Sequence, residues 1–141
     1  MGLRDWFRRR REGRRARALF ESKIVVTFDD DGISARYPNG NIEQISWREV
    51  EKARIETNDS GSWGTDFWWI FEGAGRRCAY PQGAAGELEV FRVLGQRLPG
   101  FNFEAVIEAN VSTSNAEFVC WERARPLAWT AQMYDGSPPA S

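Results

Sequence analysis

Three carboxylates in the middle of the chain, Glu56, Asp59 and Asp66, are the side chains best suited to do chemistry. A pair of carboxylates can hydrolyse a glycoside, and a cluster of them can bind a hard cation. Their spacing matches no cation-binding loop motif, and the sequence specifies no basic partner for them. We therefore interpret them as solvated surface charge, and we expect neither a metal nor a cofactor.

The chain has no histidine and only two cysteines, Cys78 and Cys120, among its 141 residues. The absence of histidine excludes a Ser-His-Asp triad, a histidine general base and a histidine metal site. Two cysteines are too few for a tetrahedral cysteine zinc site, and we predict that both are reduced, partly buried thiols. We therefore predict that the protein is not an enzyme. A carboxylate-based hydrolase is the least favoured function.

The charge of the chain is divided between a basic N-terminal arm, residues 1–21, and an acidic remainder. The first seventeen residues hold eight basic and two acidic side chains, a charge of +6, whereas residues 18–141 hold eleven basic and eighteen acidic ones, a charge of −7. Leu3, Trp6 and Phe7 follow helical spacing within the arm. The candidate membrane or polyanion contacts are Leu3, Arg4, Trp6, Phe7, Arg8, Arg9, Arg10, Arg11, Arg14 and Arg15.

Three interpretations of the arm remain open. Apolar side chains could insert into an anionic membrane surface while the arginines bind lipid headgroups. The same arginines could bind the phosphates of a nucleic acid, with a steep salt dependence. The arm could also be a solvated tail or fold back on the acidic body. We favour the membrane over nucleic acid, because Trp6 and Phe7 are adjacent and lie close to the terminus.

In the remainder of the chain, the pattern of apolar and polar residues predicts strands first and helices after them. Residues 23–81 alternate apolar and polar side chains in six short runs separated by turn signals, of which Asn39-Gly40 is the strongest. The period then changes to that of a helix over residues 88–98, and Asn102 is a candidate N-cap for a second helix. A last strand is predicted at residues 117–121. We therefore predict one domain over residues 22–123, followed by a flexible tail, residues 124–141.

This order indicates an α+β domain built on a curved antiparallel sheet or a partly open barrel, with two helices and a last strand near the C-terminus. The order of many meandering strands before a helix loosely resembles a pleckstrin-homology-like domain, although that plan lacks the last strand. A sheet covered on one side by helices would bury both faces of the strand at residues 67–71.

The best candidate for a partner-binding surface on the body is the polar loop that contains Asn58, Asp59, Trp63 and Asp66. A rigid scaffold positions loop side chains for binding. Trp63 lies between Ser62 and Gly64, a poor context for a core residue. The alternative is an ordinary hairpin loop with Trp63 folded over the sheet edge.

Five segments together resemble a group of short, uncharacterised bacterial proteins over about residues 23–122. They are Ile45–Val50, Glu56–Asp59, Asp66–Trp69, Leu98–Phe101 and Phe118–Trp121. The resemblance implies a bacterial origin and supports the domain boundaries. It implies no activity, cofactor or site residue.

These observations favour a non-catalytic binding or adaptor domain that attaches peripherally to an anionic membrane surface through its arm and binds an unidentified protein partner. The alternative is an acidic inhibitor or immunity-type protein that binds a basic partner such as a toxin. The sequence has no apolar run of about 18 residues and no signal-peptide h-region, so we expect a cytoplasmic location with membrane association. Exposed strand edges are compatible with a homodimer.

Overall fold

The computed structural model describes residues 21–59 and 65–124 of the chain. The first three strands form an antiparallel sheet in the order β1-β2-β3. They are β1 (Val25–Phe28), β2 (Gly32–Arg36) and β3 (Ile42–Ser46). The predicted alternation is confirmed, because Val26, Ile33 and Ile45 are buried while their neighbours along each strand are partly or fully exposed.

The two turns of this sheet form at the predicted polar segments. The Asp29 carboxylate accepts hydrogen bonds from the backbone N–H groups of Asp31 (2.8 Å) and Gly32 (2.9 Å). These backbone hydrogen bonds, that of Gly32 above all, hold the pKa of Asp29 below its ordinary value. At the second turn Gly40 has a φ of 91°, which glycine adopts without steric strain.

The second sheet has four antiparallel strands in the order β6-β5-β4-β7. They are β4 (Lys52–Asp59), β5 (Thr65–Gly73), β6 (Arg76–Pro81) and β7 (Ala116–Glu122). A single tight turn joins the two sheets, in which the Val50 N–H donates to the Ser46 carbonyl at 3.2 Å. The chain therefore makes one tight turn between β3 and β4.

Two helices lie between β6 and β7, namely α1 (Glu87–Arg97) and α2 (Phe103–Val111). The predicted N-cap of α2 is confirmed, because the Asn102 side chain accepts hydrogen bonds from the N–H groups of Glu104 and Ala105. Helix α2 packs against β4 and β7, and α1 contacts β1. The last strand follows α2 and pairs with β4, so it completes the outer edge of the second sheet.

An aromatic cluster forms the centre of the core. Trp69 contacts the rings of Phe67, Phe71, Tyr80 and Phe91, with centroid distances between 5.7 and 6.4 Å. Three of these residues come from β5, one from β6 and one from α1. The cluster therefore joins the second sheet to the helices that cover it.

The predicted α+β class, the antiparallel pairing, the two helices and the last strand are all confirmed. The strands of the described residues form two sheets that do not close into a barrel. Over the described ranges, no helix is both long enough and apolar enough to cross a bilayer.

Gly86 is the residue at which β1 and the start of α1 approach most closely, and its replacement tests this packing. A Cβ at Gly86, whose φ is 92°, would lie 2.1 Å from the Val26 carbonyl oxygen. We expect Gly86→Ala to lower the free energy of unfolding by at least about 3 kcal/mol, because a backbone clash adds to conformational strain. Gly40→Ala is the matched control and should lose only about 1–2 kcal/mol, since its φ is similar but nothing lies near its Cβ. Urea denaturation measures both, and equal losses would contradict the close approach.

Candidate functional site

The outer face of β5 carries a tryptophan that is not part of the core. Trp68 and Trp69 point to opposite faces of the strand, as the alternation predicts. Trp69 is 4% exposed, whereas Trp68 is only partly buried. Trp68 lies between Glu56 of β4 and Pro81 of β6 in the strand register. Its ring therefore lies in the middle of the sheet face that the helices do not cover.

The hairpin between β2 and β3 forms the opposite wall of a groove beside Trp68. The Tyr37 hydroxyl donates a hydrogen bond to the Ala79 carbonyl, and the Glu43 carboxylate accepts one from the Ala79 N–H at 2.8 Å. These two side chains therefore take the place of a neighbouring strand at the outer edge of β6. Burial, together with the nearby Glu43 charge, raises the pKa of Tyr37 to about 12, so its hydroxyl stays a donor.

The groove between the hairpin and the second sheet has a volume of about 420 Å³. Amide, carboxylate and aromatic side chains line it. The lining residues are Tyr37, Asn39, Asn41, Glu43, Glu56, Asn58, Trp68, Ile70, Arg77 and Ala79. This mixture of an aromatic surface with convergent polar groups is typical of a binding site.

The Trp68 indole N–H has no hydrogen-bond partner among the described residues, in contrast to the other described tryptophans. The indole N–H of Trp47 donates to the Asp29 carbonyl, that of Trp69 to Glu87, and that of Trp121 to the Pro99 carbonyl, at 2.7–2.9 Å. The Trp68 N–H is not among the buried donors that lack a partner, so it is open to solvent. The unpaired donor of Trp68 is therefore free to bind a ligand.

Asn58 contributes a second unpaired polar group to the groove. Its side chain is half-buried, and within the described residues it makes no hydrogen bond. A primary amide offers both a donor and an acceptor, so it can pair with a peptide group or a hydroxyl. Asn58 and Trp68 together can therefore fix the orientation of a polar ligand.

An ion-pair cluster borders the groove and includes one of the carboxylates singled out in the sequence. The Arg54 guanidinium lies 2.6 Å from Glu56, 3.0 Å from Glu72 and 3.1 Å from Glu117. Burial lowers the pKa of Arg54, but hydrogen bonds to Glu72 and Glu56 outweigh it, so the pKa lies above its ordinary value. Glu56 is therefore part of a charge network and not an isolated carboxylate.

Of the four residues predicted for the binding loop, the structure describes the side chains of two, Asn58 and Asp66. Asn58 and Asp66 face each other in the register of β4 and β5, so the structure brings these two together. The backbone of Asp59 pairs with that of Thr65, but its side chain, like Trp63, lies outside the described part of the molecule. The predicted membrane-contact residues of the arm, Leu3–Arg15, and the tail beyond Ala124 lie outside it as well.

The groove could not be predicted from the sequence. The expectation that both faces of the strand at residues 67–71 are buried is wrong for Trp68, which is only partly buried, because a strand with large apolar residues on both faces can also carry one aromatic on an open face. Tyr37 and Glu43 carried no signal, because their role depends on contact with Ala79, which is 36 or more positions away in the chain.

Both cysteines are free and buried, as predicted. Burial raises the pKa of Cys78 to about 12, with a further contribution from Glu43, and burial alone raises the pKa of Cys120 to about 12. The thiolate is the nucleophilic and metal-binding form, so neither residue is activated at neutral pH. Over residues 21–59 and 65–124, no group of three or more cysteine or carboxylate side chains is placed to hold a metal ion.

Two other concavities of the described surface lack a tryptophan. One, of about 320 Å³, lies on the outer face of the first sheet around Gly32. The other, of about 700 Å³, lies at the end of the second sheet and is lined mainly by charged side chains such as Lys52, Glu72 and Arg123. Among the three, only the groove has a tryptophan next to unpaired polar groups, and we take it as the candidate site.

No family model, curated protein or solved structure matches the chain. The assignment of a function therefore depends on the chemistry of the groove and on the charge distribution of the sequence.

The link between Glu43 and β6 can be tested by removing the carboxylate. We expect Glu43→Ala to lower the free energy of unfolding by about 1–3 kcal/mol, because the N–H of Ala79, which is 4% exposed, loses its acceptor. Asn41→Ala is the control from the same hairpin, and it should change stability by no more than about 0.5 kcal/mol, since no side-chain contact is lost. Urea denaturation of both variants measures the difference. A Glu43→Ala variant as stable as the control would show that the carboxylate does not hold the groove wall.

Proposed function

We propose that this protein is a non-catalytic binding domain that holds a polar segment of a partner protein in the Trp68 groove, and that its basic arm attaches it to an anionic membrane surface. The observation that carries the first part is the unpaired Trp68 N–H beside the unpaired Asn58 amide. A bound backbone can supply both with partners while its side chains pack on the indole ring.

The charges of the groove favour a basic partner segment. Glu43 and Glu56 are the two carboxylates of its lining, and Arg77 is the one guanidinium. Each carboxylate is partly satisfied internally, Glu43 by the Ala79 N–H and by Arg77 at 3.9 Å, and Glu56 by Arg54, which leaves further lone pairs on each. A lysine or arginine next to an apolar side chain would therefore complement this surface.

Membrane attachment is supported by the composition of the arm. The charge of +6 on residues 1–17 and the apolar side chains of Leu3, Trp6 and Phe7 are the two signals that stable peripheral attachment combines. Each basic residue near an anionic surface contributes about 1 kcal/mol. The acidic remainder would be repelled by the same surface and would stay in solvent.

The second candidate function is an acidic inhibitor or immunity-type protein. The observation that favours it is the cluster around Arg54, where Glu56, Glu72 and Glu117 surround one guanidinium and are 33–46% exposed. Such a surface could meet a basic partner over a larger area than the groove. This candidate and the first differ in the size of the partner surface, and the binding of an isolated peptide separates them.

The groove can be tested with selected peptides. Full-length protein is used to select binders from a displayed random-peptide library, and the enriched peptides are titrated by fluorescence anisotropy. We expect enriched peptides to carry lysine or arginine, and Trp68→Ala to weaken them at least about tenfold, because a buried aromatic anchor contributes more than 1 kcal/mol. The affinity of Trp68→Phe should lie between those of the wild type and Trp68→Ala, because phenylalanine keeps an aromatic ring but lacks the indole N–H.

The control for this experiment is Trp121→Phe, which alters a partly buried tryptophan outside the groove. It should leave the affinity unchanged. Peptides that bind Trp68→Ala as tightly as the wild type would rule out the groove as their site, and a failure to enrich any peptide would favour the larger inhibitor-type interface.

The arm can be tested with liposomes. We expect full-length protein to bind vesicles that contain anionic lipid and to lose that binding at moderate salt when Trp6 and Phe7 are both replaced by Ala, because the charges alone are screened. Co-sedimentation measures the bound fraction, with zwitterionic vesicles as the control. Unchanged binding of the double variant would exclude insertion, and binding to duplex DNA with a steep salt dependence would favour the nucleic-acid alternative.

A further inference from the structure

Helix α2 presents a stripe of exposed apolar side chains, Phe103, Ile107 and Val111. They are 39%, 65% and 75% exposed. Residues four apart lie on one face of a helix, so the three form a continuous row over successive turns. The Phe103 ring also contacts the rings of Phe91 (5.4 Å) and Phe101 (4.8 Å), so Ile107 and Val111 are the largely uncovered part of the row. The opposite face of α2 is buried against β4 and β7. Single exposed apolar residues need no explanation, but adjacent ones in a row on one helix face indicate a binding surface.

The stripe has an acidic border. Glu104 and Glu108 each follow a stripe residue along α2 and are exposed, and the helix contains no basic residue. The occupant that this surface favours is an apolar segment with flanking positive charges.

The N-terminal arm has this composition. Leu3, Trp6 and Phe7 are spaced three and four residues apart, which matches the spacing of a helical apolar face, and the Arg8–Arg11 run follows directly. Residues 1–17 carry +6 and residues 18–141 carry −7, so the two parts attract each other.

The arm also joins the domain close to the stripe. The Glu21 carboxylate lies next to Gly83, 3.4 Å from the position that a Cβ would take there. The side chain of the neighbouring residue, Gln82, donates a hydrogen bond to the Asn110 side chain at 2.9 Å. Asn110 precedes Val111, the last residue of the stripe. The five residues that separate Arg15 from Glu21 let the chain reach at most about 20 Å, and the stripe is about 12 Å long. The connection is therefore long enough for the arm to reach it.

We infer that residues 3–15 dock on the α2 stripe of the same chain. A second copy is a poorer occupant, because its own stripe carries the same acidic border and three side chains fall far short of the roughly 800 Å² per partner of a stable interface. A tethered segment needs less area, since its effective concentration is about millimolar.

This docking would regulate the proposed membrane attachment. Trp6 and Phe7 cannot pack on α2 and insert into a membrane at the same time, so an anionic surface competes with the stripe for the arm. The regulatory part of the inference rests on the proposed membrane function, whereas the docking itself does not.

Limited trypsin digestion of the full-length protein without lipid tests the docking. The rate of cleavage at the arginines within residues 1–20 is measured by mass spectrometry. We expect Ile107→Ser to raise this rate at least about threefold, because the released arm is open to the protease for a larger fraction of the time. High salt should raise the wild-type rate as well. The matched control is Ile42→Ser, the same change at a residue of similar exposure (59%) on β3, and it should have no effect.

Equal cleavage rates in the wild type and Ile107→Ser would overturn the docking. Protection that disappears on dilution, with a dimer in sedimentation, would overturn it in favour of a second copy. The same variants are then compared on anionic vesicles, where we expect Ile107→Ser to bind more tightly than the wild type. If neither the wild type nor any variant binds vesicles while trypsin still cleaves the Ile107→Ser arm faster, the proposed membrane function is wrong and the docking of the arm is supported.

Discussion

The packing of aromatic rings around Trp69 is the interaction on which the rest of this domain depends. Trp69 contacts four rings, and its indole N–H donates to Glu87 in the first turn of α1 at 2.7 Å. The same row continues through Phe71 to Trp47, next to the turn that joins the two sheets. Each aromatic side chain buries a large area, and these rings pack together with buried aliphatic residues such as Ile55 and Leu94. Both sheets and α1 are therefore fixed to one centre.

This core also determines what the outer face of the second sheet can do. Because side chains alternate along β5, placing Trp69 inside requires Trp68 to lie outside. The helices cover the inner face only, and on the outer face Trp68 lines a groove together with residues of the β2–β3 hairpin. Tyr37 and Glu43 hold that hairpin against β6 through hydrogen bonds to Ala79. A groove stays open between the hairpin and the outer face of the second sheet. An unpaired indole N–H is the consequence.

Most of the fold followed from local patterns. The strands β1–β6, the Asn39-Gly40 turn, the N-cap at Asn102 and the helix periods are each set by residues within a few positions of one another. Local patterns do not specify which distant segments pair with each other. Neither the position of β7 beside β4 nor the division into two sheets could therefore be predicted. The candidate site was predicted only in part, since the sequence indicated Asn58 as a binding residue but predicted burial of both faces of the strand that carries Trp68.

By itself, the sequence determined the α+β class, the order of the elements and the separation of a basic arm from an acidic body, because periodicity, turn residues and charge are properties of neighbouring residues. Only the tertiary structure decided which aromatic side chains are buried and which remain exposed. Phe103, Ile107 and Trp68 are as apolar in sequence as the core residues beside them, and their exposure depends on what packs against each face. That is set by contacts between residues far apart in the chain, which no local pattern records.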